Sequence, residues 1–98
     1  MPKRENEFQS RLIKKLEMLL PGCLVLKNNP NYIQGIPDLL VLFKDRWAFL
    51  ECKRFDGSIE QSNQSYYISW ANENSFGAFI NQDNEEEVLN ELFEAFRN

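Results

Sequence analysis

Two apolar segments that end in charge constrain this chain more than any other feature. The first is Gly35-Ile36-Pro37-Asp38-Leu39-Leu40-Val41-Leu42-Phe43. The second, after a short polar break, is Trp47-Ala48-Phe49-Leu50-Glu51-Cys52-Lys53. Both read as core strands, yet Asp38, Glu51 and Lys53 sit at their ends. Charges carried into a core must be paired, coordinated or neutralised. A divalent metal is the simplest compensator.

Strand geometry places these groups. Side chains alternate with a period of two, so Glu51 and Lys53 share a face and Cys52 points the other way. A two-residue turn at Asp45-Arg46, closed by Lys44 and Trp47, sets Asp38 opposite Lys53 and diagonal to Glu51, and the three groups converge on one face. A three-residue turn at Lys44 to Arg46 would flip the parity and separate Asp38 from Glu51 unless a bulge restored it.

Two carboxylates and the Cys52 backbone carbonyl between Glu51 and Lys53 are hard oxygen donors of the kind Mg²⁺ prefers, with waters completing the shell. Such an ion lowers the pKa of a bound water and neutralises charge building on a phosphodiester. Lys53, a compact cation beside it, would orient the nucleophilic water or hold a phosphate oxygen. The pattern fits a hydrolytic site for phosphodiesters.

On Pro37-Asp38 and Glu51-Cys52-Lys53 the sequence resembles the PD-(D/E)xK nuclease superfamily, and more closely its small VRR-NUC branch. The branch shows a Gly-x-Pro-Asp strand start, here Gly35 to Asp38, and an apolar strand ending in Glu-x-Lys. A Gln then opens the next helix, here Gln64 ahead of Tyr67 and Trp70, with Gln61 close by. The likeness spans nearly the whole chain. It implies a restriction-endonuclease-like α/β fold and catalysis by Asp38, Glu51, Lys53 and Gln64.

The resemblance also implies a Glu on the first helix. Phe8, Leu12, Ile13, Leu16, Leu19 and Leu20 trace the inward stripe of a helix from about Glu5 to Leu20. Glu5 and Glu7 are both candidates. Glu5 lies three residues before Phe8 and seven before Leu12, whereas Glu7 aligns with Arg11 and Lys14 on the polar face, so Glu5 is chosen as the assisting acid, reaching the metal directly or through water. Gln9, on the same stripe, matches a Gln of the family expected to bond a carboxylate or a DNA phosphate.

Other chemistries are excluded by what the chain lacks. Without histidine there is no Ser-His-Asp or Cys-His catalysis, no HNH-type site and no histidine general base. No glycine-rich phosphate loop appears, so no nucleotide cofactor is expected. Cys23 and Cys52 sit in apolar surroundings and read as small core residues. The 98 residues suit one domain, 1–98, with one core. The first residues hold no apolar signal-peptide core and no run approaches membrane-spanning length, so a cytoplasmic location and no membrane partner are expected.

The net charge of −4 is unevenly placed. Residues 82–98 hold six acids against Arg97, which leaves +1 on the rest. Lys27 and Arg54, with Asn29 in the polar loop from Asn28 to Gln34, are the groups expected to meet DNA. That footprint is small for one protomer, and two protomers would double it.

Along the chain the expected order is helix, strand, strand, strand, helix, strand, helix, forming a central mixed sheet flanked by helices. Pro21-Gly22 ends the first helix, Cys23 to Lys27 form a strand, and Phe55 to Ser58 turn into a helix from about Glu60 to Asn74. Gly77 to Asn81 form a strand, and Asp83 caps a last helix through Phe96. Tyr66, Tyr67 and Trp70 are expected in packing or interface contacts, and Val88, Leu89, Leu92, Phe93 and Phe96 in the core. The resemblance further implies a Mg²⁺-dependent endonuclease, with Mn²⁺ able to substitute. Stand-alone VRR-NUC proteins of this size are typically viral, working in the host cytoplasm, and resemble Holliday junction resolvases acting as homodimers. The alternatives are a nuclease on flaps, ends or duplex DNA, and a DNA-binding module without catalysis.

Overall fold

The computed structural model describes residues 3–53 and 62–97, and side chains from 7 to 53 and from 66 to 97. Its elements are α1 (Lys3–Leu19), β1 (Leu24–Lys27), β2 (Leu39–Phe43), β3 (Arg46–Cys52), α2 (Ser62–Asn74), β4 (Phe76–Ile80) and α3 (Glu85–Phe96), the order expected. The strands lie in the order β1-β2-β3-β4. β1, β2 and β3 pair antiparallel, while β4 joins β3 in parallel, so α2 is the helical crossover that a parallel pair requires.

α1 forms because Phe8, Leu12, Leu16 and Leu20 recur every fourth residue and bury one stripe. It stops at Pro21-Gly22, where Gly22 takes a φ of 94° that a side chain would resist, and Cys23 N–H closes the turn on Leu20 O at 2.9 Å. The chain then runs back as β1.

β3 is covered on both faces, as a central strand with helices on each side should be. Ala48, Leu50 and Cys52 join Leu39, Val41 and Ile80 against α1 and α3, the main core. On the other face Phe49 meets Ile68 and Ala71 of α2, with Leu40, Trp47 and Phe79 packed alongside. Each fully buried Leu here contributes roughly 1.5–3 kcal/mol by leaving water. Trp70 lies against Trp47 with ring centroids 5.2 Å apart, and Tyr67 meets Phe49 edge-on. Tyr66, in contrast, is 63% exposed on the outer side of α2. Gly77 lets α2 approach β4: a Cβ there would stand 2.8 Å from both the Ala71 Cβ and the Ile68 carbonyl oxygen.

The β2–β3 turn corrects the sequence expectation. Phe43 pairs with Arg46, so the two-residue loop is Lys44-Asp45, with Lys44 at a φ of 57°. Moving the loop back by one residue shifts the pairing by two, which keeps every side chain on its expected face. Burial parity cannot choose between the two registers. In the observed one Phe43 stacks on Phe96 at 6.3 Å, a contact between elements far apart in sequence.

The cap of α3 is also different. Asn84, not Asp83, holds the N-cap position. Its amide is engaged elsewhere, accepting from Asn81 N–H at 2.8 Å and donating to Phe79 O at 3.0 Å, while Asn81 Oδ1 accepts from the N–H groups of Asp83 and Asn84. Cys52 is in the core, and Cys23 stands at its margin with its thiol toward Leu16 O. Among the described residues no helix is long and apolar enough to cross a membrane. The expected turn at Phe55 to Ser58 and the expected start of α2 at Glu60 lie outside the described residues.

Candidate active site

One step past the last rung of the β2–β3 ladder, Leu39↔Leu50, Asp38 faces Glu51 directly. The expected position, opposite Lys53, is therefore off by two residues. The carboxylates finish the ladder where backbone pairing stops. Glu51 Oε1 accepts the Asp38 N–H at 3.0 Å, and Asp38 Oδ2 accepts the Cys52 N–H at 2.9 Å. Glu51 is only 5% exposed and Asp38 is half-buried, so these bonds act where water competes little.

Asp38 is held from its other side by Asn28, just after β1. The Asn28 N–H donates to Asp38 O and its side-chain amide to Pro37 O, both at 2.8 Å. Gly35, at a φ of 82°, turns the loop into the fully buried Pro37. The sequence reading assigned Asn28 only to a loop. Its importance arises from β1–β2 pairing, which local sequence does not announce.

Lys53 follows β3 and is fixed by its N–H to Ile80 O at 2.8 Å. Its ammonium stands 4.9 Å from the centre of the Phe79 ring. Among the described residues it forms no ion pair with a carboxylate, although Glu51 lies two residues away on the same face. An ordinary Glu–Lys surface pair is not what the strand presents. The structure thus gathers Asp38, Glu51, the Cys52 peptide and Lys53 at one end of the sheet.

That end is where the C-termini of β1, β3 and β4 meet the N-terminus of β2. In open α/β sheets ligands bind outside the carboxyl ends of strands. A solved structure of a VRR_NUC domain matches this chain with a TM-score of 0.68, covering 97% of this chain and 99% of that one at 23% identity. This chain has the VRR_NUC fold. No family model and no curated protein sequence matches it.

Within the VRR_NUC fold the remaining candidates divide clearly. α2 follows β3 and leads back into parallel β4, so its first turn, with the backbone of Gln64, lies toward the site end; the Gln64 side chain is outside the described residues, as are Gln61 and Arg54. α1 turns tightly into β1, which brings its beginning, with the backbone of Glu5, back toward the same end; the Glu5 side chain is likewise outside the described residues. Glu7 is exposed, and Gln9 is buried to 4% exposure within α1's packing rather than displayed at the surface. Lys27 and Asn29 are exposed beside Asp38, with Asn29 Oδ1 also accepting from Asn31 N–H at 2.9 Å.

Among the described residues no group of three acidic, histidine or cysteine side chains forms a ready metal cage. The donors on hand are two opposed carboxylates and the Cys52 peptide oxygen. All are hard oxygens, which suits Mg²⁺, an ion commonly held by one or two carboxylates with water and phosphate supplying the rest. Burial first, and then the Glu17 carboxylate, push the Cys23 thiol pKa up, away from the thiolate form.

Proposed function

We propose that this chain is a Mg²⁺-dependent endonuclease that hydrolyses DNA phosphodiester bonds, and that it acts as a homodimer on four-way junctions. The observation that carries this reading is Asp38 facing Glu51 across two strands, with Lys53 held beside them and not paired to either. The likeness to a solved VRR_NUC domain supports the nuclease assignment.

Asp38, Glu51 and the Cys52 carbonyl hold the divalent ion, Mg²⁺ or Mn²⁺, with Glu5 assisting from α1. When bound, that ion supplies Lewis acidity, lowering the pKa of water and countering charge on the phosphate. The protein's own part is placement. Glu51 and Asp38 are locked by backbone N–H groups before substrate arrives, so little reorganisation is left for the reaction itself. Lys53 donates to a phosphate oxygen and stabilises the charge that develops there. Gln64 assists from the first turn of α2, and Lys27, Asn29 and Arg54 meet the DNA backbone. Two copies related by a two-fold axis would present two such sites, matching the paired strands of a junction.

The test is cleavage of a labelled four-way junction and of its separate linear arms, with Mg²⁺, Mn²⁺ or EDTA. Paired, symmetric, metal-dependent nicks confined to the junction support the full reading. Equal cutting of the arms replaces the junction resolvase with a general nuclease, and junction binding without any cutting replaces the enzyme with a binding module.

A further inference from the structure

We propose that Phe79 is the positioning residue for Lys53, keeping its ammonium apart from the carboxylates and ready for a phosphate oxygen. The inference rests on the nuclease reading above.

A lysine side chain has four rotatable carbons and loses about 2 kcal/mol of rotamer freedom when fixed. Something must hold it if it is to meet a phosphate in one place. Glu51 is the obvious partner, two residues away on the same face. A carboxylate would cancel the charge the reaction needs and occupy the donors meant for substrate. The structure shows a different arrangement: Glu51 is turned to the Asp38 N–H, and the Lys53 ammonium lies 4.9 Å from the Phe79 ring centre.

A ring face attracts a cation through its quadrupole while accepting no strong hydrogen bond, so the N–H donors stay available for an anion. The ring itself is well anchored. Phe79 pairs in register with Glu51 across β3–β4, its carbonyl accepts from the Asn84 amide at 3.0 Å, and the next residue's carbonyl accepts the Lys53 N–H at 2.8 Å. Ring and lysine are thereby fixed to one another through the same two strands. Phe79 also packs beside Phe49 and Ile68, but that duty would be met by any large apolar residue.

The experiment compares wild type with Phe79→Leu, which keeps apolar bulk, and Phe79→Trp, which keeps a ring. Carbon and proton NMR of the Lys53 ε-methylene reads the contact without any reaction. Single-site kinetics on a cleaved DNA reads its purpose. The ε-methylene is expected upfield in wild type and in Phe79→Trp, and at its random-coil position in Phe79→Leu. Phe79→Leu should lose roughly 2- to 30-fold in kcat with KM unchanged, Phe79→Trp should recover it, and in a Lys53→Met background Phe79→Leu should cause no further loss. An unshifted ε-methylene in wild type overturns the inference whatever the enzyme does. So does a Phe79→Leu enzyme with wild-type kcat, or a loss that simply adds to that of Lys53→Met. A wild type that cuts no DNA overturns the nuclease reading and the catalytic purpose together, while the NMR result still decides the contact.

Discussion

Asp38 and Glu51 each satisfy the backbone of the opposite strand: the Glu51 carboxylate accepts the Asp38 N–H at 3.0 Å, and the Asp38 carboxylate accepts the Cys52 N–H at 2.9 Å. The same oxygens proposed to hold a metal therefore also close the sheet. Structural and chemical roles can be separated by removing charge without removing the acceptor.

Glu51→Gln keeps an amide oxygen for the Asp38 N–H, so its stability should fall by less than about 1 kcal/mol. Glu51→Ala orphans that N–H in a buried setting and should lose about 1–3 kcal/mol. Urea unfolding of the two variants measures the difference. Both should fail to cut DNA, which shows that lost activity does not follow from lost stability.

Lys44 holds a left-handed φ of 57° in the β2–β3 loop. Glycine accepts that conformation freely, whereas a residue with a Cβ is disfavoured by roughly 1–2 kcal/mol. Lys44→Gly should therefore melt higher than Lys44→Ala, by roughly 4–8 °C per kcal/mol for a domain of this size. Equal melting temperatures would show that the loop lies elsewhere.

Gly77→Ala would set a methyl 2.8 Å from the Ala71 Cβ and the Ile68 carbonyl. Both neighbours belong to α2, one through its backbone, so the helix itself must give. A loss of roughly 1–3 kcal/mol in thermal or urea unfolding is expected.

The Cys23 thiol titrates above its unfolded value, chiefly through burial. Its contribution to stability is fully present below the unfolded thiol pKa of about 8.5 and is lost as pH rises through the folded value. Between pH 8 and 10 the melting temperature of wild type should fall more steeply than that of Cys23→Ala.

Much of this was legible in the sequence, for a physical reason. The two-residue period of β2 and β3 fixes which side chains share a face, and charges in an apolar strand mark themselves, so Asp38, Glu51 and Lys53 stand out from the pattern alone. The four-residue recurrence of Phe8, Leu12, Leu16 and Leu20 does the same for α1. A register shift of two leaves parity untouched, so the true turn at Lys44-Asp45 could not be told from Asp45-Arg46 by pattern. At the start of α3 three good capping residues, Asn81, Asp83 and Asn84, compete, and the mutual bonds of Asn81 and Asn84 decide it. Asn28 and Phe79 carried no local mark, because each acts on a strand that reaches it only through tertiary pairing.

The central claim, that Asp38 and Glu51 hold a divalent ion for DNA cleavage, is tested most directly by Asp38→Asn, whose side-chain oxygen can still accept the Cys52 N–H. Cleavage of labelled DNA by wild type and Asp38→Asn is followed with Mg²⁺ and with EDTA, alongside their melting curves. The account predicts cutting by wild type in Mg²⁺ only, and at least about a hundredfold loss in Asp38→Asn at nearly unchanged melting temperature. Undiminished cutting by Asp38→Asn, or by wild type in EDTA, would contradict it.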